Sequence, residues 1–239
     1  MDLETLKSKI DREWGYRVAE ELRVRDLKNM TSEKWLDTLP FVHHVSEPQE
    51  YLFQAAANLQ KELHKRDITF CFIGGIPLQK WGEIRFTTDV DLTVFCELGE
   101  ELHVFEVLDF ILDSRIDDPR DMVRFGRMYL GHTQKGVQVD ISIGFTPYEQ
   151  RMMERAQDVD YGVDVPLHVC SALDLTVLKT VAGRMRDWAD IERIIQRSGE
   201  TMNWDLVYEE LEPLLALAHK EDHLPRLKSM VDEEYPEGT

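Results

Sequence analysis

Apolar residues in this chain recur at two spacings, and the switches between them mark the expected elements. Near the N-terminus Leu6, Ile10, Trp14, Val18 and Leu22 keep a helical interval, and Thr31-Ser32-Glu33 offers a cap for a second, shorter helix. Pro40 and the segment from His43 to Pro48 break that pattern. A helix is expected from Pro48, with Tyr51, Leu52, Ala55, Ala56, Leu59 and Leu63 as its core stripe. Its last turn is basic at Lys61, His64, Lys65 and Arg66, where positive charge complements the helix dipole. Residues 69–73 are a β-branched and aromatic run that stops at Gly74-Gly75, which predicts a buried strand ending in a tight turn. A short helix over 76–81, closed by Gly82, leads to a second apolar strand over 90–95, reached through Arg85-Phe86-Thr87-Thr88-Asp89.

The rest of the chain continues in the same alternation. Residues 100–113 are amphipathic and read as a crossover helix on the sheet, followed by a charged loop over 115–121. Residues 122–131 and 136–144 read as two further strands. A helix over 146–156 holds Arg151, Glu154 and Arg155 at its surface, and a strand is expected over 163–169. Ser171-Ala172-Leu173-Asp174 has the pattern that caps a helix, whose apolar face is Leu175, Leu178 and Val181 with Lys179 as the polar exception. Gly183 interrupts it before the Arg184–Ile191 segment. Residues 203–236 read as one or two helices, with a disordered acidic end around Asp232-Glu233-Glu234. The domain division that follows is an N-terminal helical extension over 1–48, a core over 49–170 and a C-terminal helical region over 171–239.

Within the strand over 90–95 and its approach, Asp89 and Asp91 are anomalous. Side chains two apart in a strand project from one side, so the two carboxylates can reach a common centre. Like charges that close are unfavourable unless a cation sits between them. Oxygen-only ligands suit Mg²⁺, which takes one or two carboxylates and completes its octahedron with water and phosphate oxygens. Gly74-Gly75 fits the same chemistry, since a glycine turn frees backbone N–H groups to approach phosphate. Taken singly, each feature has a plain alternative: a simple turn, and a solvated strand end.

Composition narrows the setting. The chain has 239 residues, 43% hydrophobic and 31% charged, with a formal charge of −18. That charge argues against holding long nucleic acid by the general surface, because phosphate binding needs clustered Lys and Arg. No apolar run approaches membrane-spanning length and the acidic start lacks a signal-peptide pattern, so the expected location is the cytoplasm with no membrane partner. Cys71, Cys96 and Cys170 form no CxxC pair and are expected to be buried free thiols, and a structural zinc site is not expected. The His43-His44 pair reads as polar loop.

The order Gly74-Gly75, short helix, then Arg85-x-Thr87-x-Asp89-x-Asp91 on an apolar strand resembles the nucleotidyltransferase fold of the DNA polymerase β superfamily. It looks most like the branch holding the AbiEii/MenT-type toxins of bacterial toxin–antitoxin systems. The resemblance spans roughly residues 51–195. It implies an α+β architecture, a small mixed β-sheet flanked by helices. It implies a third carboxylate on a later strand, and Asp140, on the face opposite Val139 and Ile141, takes that position. The resemblance further implies two Mg²⁺ ions on Asp89, Asp91 and Asp140, and a nucleoside triphosphate held by Gly74 and Gly75. Lys179 would contact the triphosphate, with Arg85 and Thr87 beside it; a surface lysine and a strand-orienting threonine are the plain alternatives. Asp190 and Arg186 read as structural. The implied reaction moves a nucleoside monophosphate onto a hydroxyl acceptor, tRNA or a small molecule as in aminoglycoside nucleotidyltransferases, with an antitoxin protein as partner in the first case. A binding or regulatory module without turnover is the alternative from another class. A basic rim from Arg124, Arg127, Arg151, Arg155 or Arg184 would favour tRNA; an acidic pocket would favour a cationic drug.

Overall fold

The computed structural model describes residues 49–236, so the helices expected over 1–48 and the His43-His44 pair lie outside the described residues. Helix α1 (residues 49–64) buries Leu52, Ala55, Ala56, Leu59 and Leu63 of its expected stripe, whereas Tyr51 is exposed, with its hydroxyl donating to the Lys135 carbonyl at 3.0 Å. Gln60 on the same helix is buried too. Its Nε2 donates to the Pro166 carbonyl at 2.7 Å and its Oε1 accepts the His168 N–H at 2.8 Å, which ties α1 to the backbone around residue 167.

Seven strands, β1 (Thr69–Phe72), β2 (Asp89–Phe95), β3 (Asp113–Ser114), β4 (Met128–His132), β5 (Gln138–Gly144), β6 (Gln157–Val159) and β7 (Leu167–Val169), form one sheet in the order β3-β4-β5-β2-β1-β7-β6. The sheet is mixed: β2 runs parallel to β5 and β1 parallel to β7, while the remaining neighbours are antiparallel. The protein is therefore α+β, with helices on both faces of a mixed sheet.

Strand alternation divides the core into two layers. Phe70, Phe72, Val90, Leu92, Val94, Val139 and Ile141 meet α1 and helix α3 (Glu101–Ile111) on one face. The opposite face carries Cys71 and the polar positions of β2 and β5. It is covered by α2 (Gly75–Trp81), α4 (Pro147–Arg155), α5 (Ala172–Ala182), α6 (Met185–Ser198), α7 (Trp204–Ala218) and α8 (His223–Glu234). Each fully buried Leu, Ile or Val contributes about 1.5–3 kcal/mol, so both layers are substantial. Helix α5 is buried on nearly all sides, from Leu173 to Thr180. Ser171 caps its start by accepting the Asp174 N–H at 3.1 Å, and Gly183, at φ 64°, ends it. Lys220 Nζ donates to the Val181 and Ala182 carbonyls at 2.8 and 3.0 Å, so the last turn of α5 is closed by the link between α7 and α8.

The structure corrects three sequence expectations. Residues 122–126 do not form a strand: Met122–Gly126 is a π-helical turn, and Arg127, at φ 55°, ends it before β4 begins. Of the strand expected over 163–169 only Leu167–Val169 pairs, while polar Gln157–Val159 supplies its antiparallel neighbour. The acidic end is ordered, because Asp232, Glu233 and Glu234 belong to α8, which buries Leu227 and Val231. The three cysteines are free and buried. Among the described residues no helix is long and apolar enough to cross a membrane.

Candidate active site

The polar face of β2 and β5 forms a strip two residues wide. The parallel register sets Asp89 beside Gln138, Asp91 beside Asp140 and Thr93 beside Ser142. Thr93 and Ser142 satisfy one another through their hydroxyls at 2.8 Å, leaving the carboxylates above them at the strand beginnings. Burial is the first cause that lifts the Asp91 carboxyl to about 6, with the charges of Asp89 and Asp140 adding to it; the Gly75 amide and Lys179 pull the other way. A group of like charges held in this way is the chemistry that a hard divalent cation relieves.

The glycine turn is explained by how closely these side chains approach it. Gly74 has φ 68°, and a Cβ there would collide with the Asp91 carboxylate; at Gly75 it would collide with the Thr87 side chain. Thr87 is buried, its N–H donating to Gln49 Oε1 and its hydroxyl to Asp89 Oδ1, both at 3.1 Å. It therefore orients Asp89 as well as the approach to the strand.

Lys179 is 7% exposed, which removes the surface-lysine reading. Its Nζ lies 2.6 Å from Asp190 Oδ2 and 3.6 Å from Asp187 Oδ1, and Arg85 Nη2 donates to the same Asp190 oxygen at 2.9 Å. Two cations thus converge on one carboxylate of α6. Burial raises the Asp190 pKa and Lys179 opposes that rise. Asp190 has the structural part expected of it, whereas Arg186 is exposed.

Arg115, read from sequence only as part of a charged loop, is the residue the motif did not reveal. Its guanidinium pairs with Asp140 Oδ1 and donates to Gln138 Oε1 at 3.3 Å. Among the described residues no three His, Cys, Asp or Glu side chains converge on one centre; Asp140 is engaged by Arg115 and Asp89 by Thr87. Asp89 and Asp91 lie two apart on β2, so they project from the same side of the strand.

Of the arginines expected to form a basic rim, Arg124, Arg151 and Arg184 are exposed, whereas Arg127 and Arg155 are half-buried in ion pairs. Arg151 and Arg155 both bind the buried Glu210, at 2.5 and 2.8 Å, and Arg155 also binds buried Asp174 at 2.6 Å. Arg127 pairs with Glu101 and covers the Phe145 ring, and Arg184 pairs with Asp187. Arg151 and Glu154 are at the surface as expected, while Arg155 is half-buried in its pairs.

No protein-family model and no curated protein sequence matches this chain. Among solved structures it is similar to an antigenic nucleotidyltransferase-like protein from Paracoccidioides brasiliensis, at 17% identity and TM-score 0.45 over 78% of this chain and 93% of that one. It is also similar to ANT(2")-Ia in complex with adenylyl-2"-tobramycin, at 12% identity and TM-score 0.38 over 78% and 98%. JHP933 from Helicobacter pylori is another, at 14% identity and TM-score 0.38 over 76% and 92%. These are distant likenesses of shape and assign this chain no substrate.

Proposed function

We propose that this chain transfers a nucleoside monophosphate from a nucleoside triphosphate to a hydroxyl acceptor. The observation that carries the reading is the carboxylate row, Asp91 beside Asp140 with Asp89 two positions away, set against the glycine turn and backed by the Lys179–Arg85 pair. Asp89 and Asp91 would hold a divalent cation of the Mg²⁺ class, which when bound neutralises phosphate oxygens and lowers the acceptor pKa. Thr87 fixes the Asp89 carboxylate for that task. Asp140, with a side chain 35% exposed, is open to an incoming acceptor and takes its proton. The acceptor oxygen forms a bond to the α-phosphorus as the bond to pyrophosphate breaks. Lys179 and Arg85, held together on Asp190, would offset the charge on the departing group, and the glycine turn would bring the Gly74 backbone to the phosphates, the Gly75 amide being given to Asp91.

For the acceptor, the toxin-branch resemblance brings tRNA, and with it an antitoxin partner. A small hydroxyl-bearing acceptor is favoured by the partly buried pairs of Arg127 with Glu101 and of Arg155 with Glu210 and Asp174, which take two of the expected rim cations away from a polyanion. The module without turnover is opposed by the complete carboxylate row.

The test incubates wild type and Asp91→Asn with each α-labelled nucleoside triphosphate and Mg²⁺. Total bacterial RNA and a panel of polyhydroxylated amines serve as acceptors. Label transferred by wild type alone is expected, with a loss of at least about a thousandfold in the variant. Nucleotide binding with no label in any fraction, or equal transfer by Asp91→Asn, overturns the reading.

A further inference from the structure

We propose that Arg115 supplies the second positive charge of the carboxylate row, so that the site takes one divalent cation on Asp89 and Asp91 while the guanidinium holds Asp140. This rests on the nucleotidyl-transfer reading and sets its charge count, in place of the two ions implied by the family resemblance.

The fold places Arg115 for this part. Ser114 pairs with Gly131 on β4, and in the next step of the ladder the Arg115 N–H donates to the Leu130 carbonyl at 2.9 Å. Leu130 is in turn the cross-strand partner of Asp140. Residues directly opposite share a face, so Arg115, Leu130 and Asp140 form one row across three strands. Two strand spacings make about 10 Å, a gap that a long arginine side chain bridges by lying over its neighbour. The turn after β3 is fixed locally, as the Ser114 hydroxyl donates to the Ile116 carbonyl at 2.9 Å and accepts the Ile116 N–H at 3.2 Å. The second nitrogen of the fork rests on Gln138, two residues before Asp140 and on the same face. The Arg115 side chain is 23% exposed, so it is packed into the site's wall.

The electrostatics agree with that placement. The row has three carboxyl groups; Arg115 pairs with one, and the two left suit one divalent cation. A second cation at Asp140 would have to displace the guanidinium, losing the Arg115–Asp140 pair, or sit beside it against like-charge repulsion. Arg115 acts through Asp140 and is a positioning residue.

Mn²⁺ is the probe, read by electron paramagnetic resonance on the full-length chain. Wild type is expected to bind one ion that Asp89→Asn removes and Asp140→Asn leaves in place. Arg115→Ala is expected to admit a second ion, seen as an exchange-coupled pair at the roughly 4 Å separation of two-metal sites. Arg115→Lys keeps the single ion. A coupled pair in wild type, or Arg115→Ala that still holds only one, overturns the proposal without needing any variant beyond these. Label transfer on the same wild-type sample separates the two levels. Transfer with a coupled pair overturns this inference alone, whereas no ion and no transfer overturns the nucleotidyl-transfer reading with it.

Discussion

At Asp91, burial and two neighbouring carboxylates push in one direction, and the consequence is a pH-dependent cost. Its folded pKa of about 6 lies above the ordinary 3.8, so the native state holds a proton more tightly than the unfolded chain. The destabilisation is absent below about pH 4, grows between 4 and 6, and is complete above that. Asp91→Asn is therefore expected to melt a few degrees higher than wild type at pH 7 and no higher at pH 4, measured by calorimetry. Adding Mg²⁺ at pH 7 should raise the wild-type midpoint and leave the variant unmoved. An Asp91→Asn protein less stable than wild type at pH 7 would contradict this account of the carboxylate row. Strand alternation displayed Asp89 and Asp91, and the family resemblance pointed to Asp140. Neither could display Arg115, because that residue reaches Asp140 across an intervening strand whose register no local pattern encodes.

Helix α5 is locked by ion pairs that sequence spacing also concealed. Arg151 and Arg155 lie four apart on α4, a spacing that reads as an exposed basic face. The structure turns them onto Glu210 of α7 and Asp174 of α5, so three helices share one charged junction. Glu210 is 3% exposed, and its hydrogen bonds from Arg151 and then Arg155 hold its pKa below 4.5. Glu210→Gln is expected to cost about 1–2 kcal/mol in urea unfolding near neutral pH, since it weakens charge-assisted hydrogen bonds while Arg155 keeps Asp174 and Arg151 reaches solvent. Because the folded pKa is depressed, the contribution is present above pH 4.5 and is lost as pH falls through the folded value, so wild type and variant should converge in acid. A variant unchanged at pH 7 would show that the junction is solvated. The π-helical turn is a second case. Met122-Val123-Arg124-Phe125 alternates like a strand, yet only Val123 is buried and Phe125 faces solvent, which becomes visible only when β4 is seen to begin at Met128. The π-turn winds the chain away from the sheet, so its alternation faces no partner strand. The helices were easier to read, because their caps are local: Ser171 and Gly183 bracket α5 as their residue types require.

Across the whole molecule, the formal charge of −18 and the pairing of several arginines go together. Part of the positive charge goes to holding helices and the carboxylate row, while Arg120, Arg124, Lys135, Arg186 and Lys228 stay exposed. The parallel pairing of β2 with β5 has a further effect, on the order in which the molecule assembles. Asp91 and Asp140 are brought together by strands whose contacts, such as Thr93 with Ser142, join residues 49 apart in sequence. Closing that loop costs entropy before any contact compensates it, whereas helices such as α6 and α8 form from local interactions. In stopped-flow refolding the helical circular-dichroism signal should therefore return ahead of Asp89-dependent Mn²⁺ binding. Recovery of both in one phase would place β2–β5 pairing in the earliest step. A nascent chain released before β5 would hold Asp89 and Asp91 without their third neighbour, and chemistry would begin only once the last strand of the row had docked.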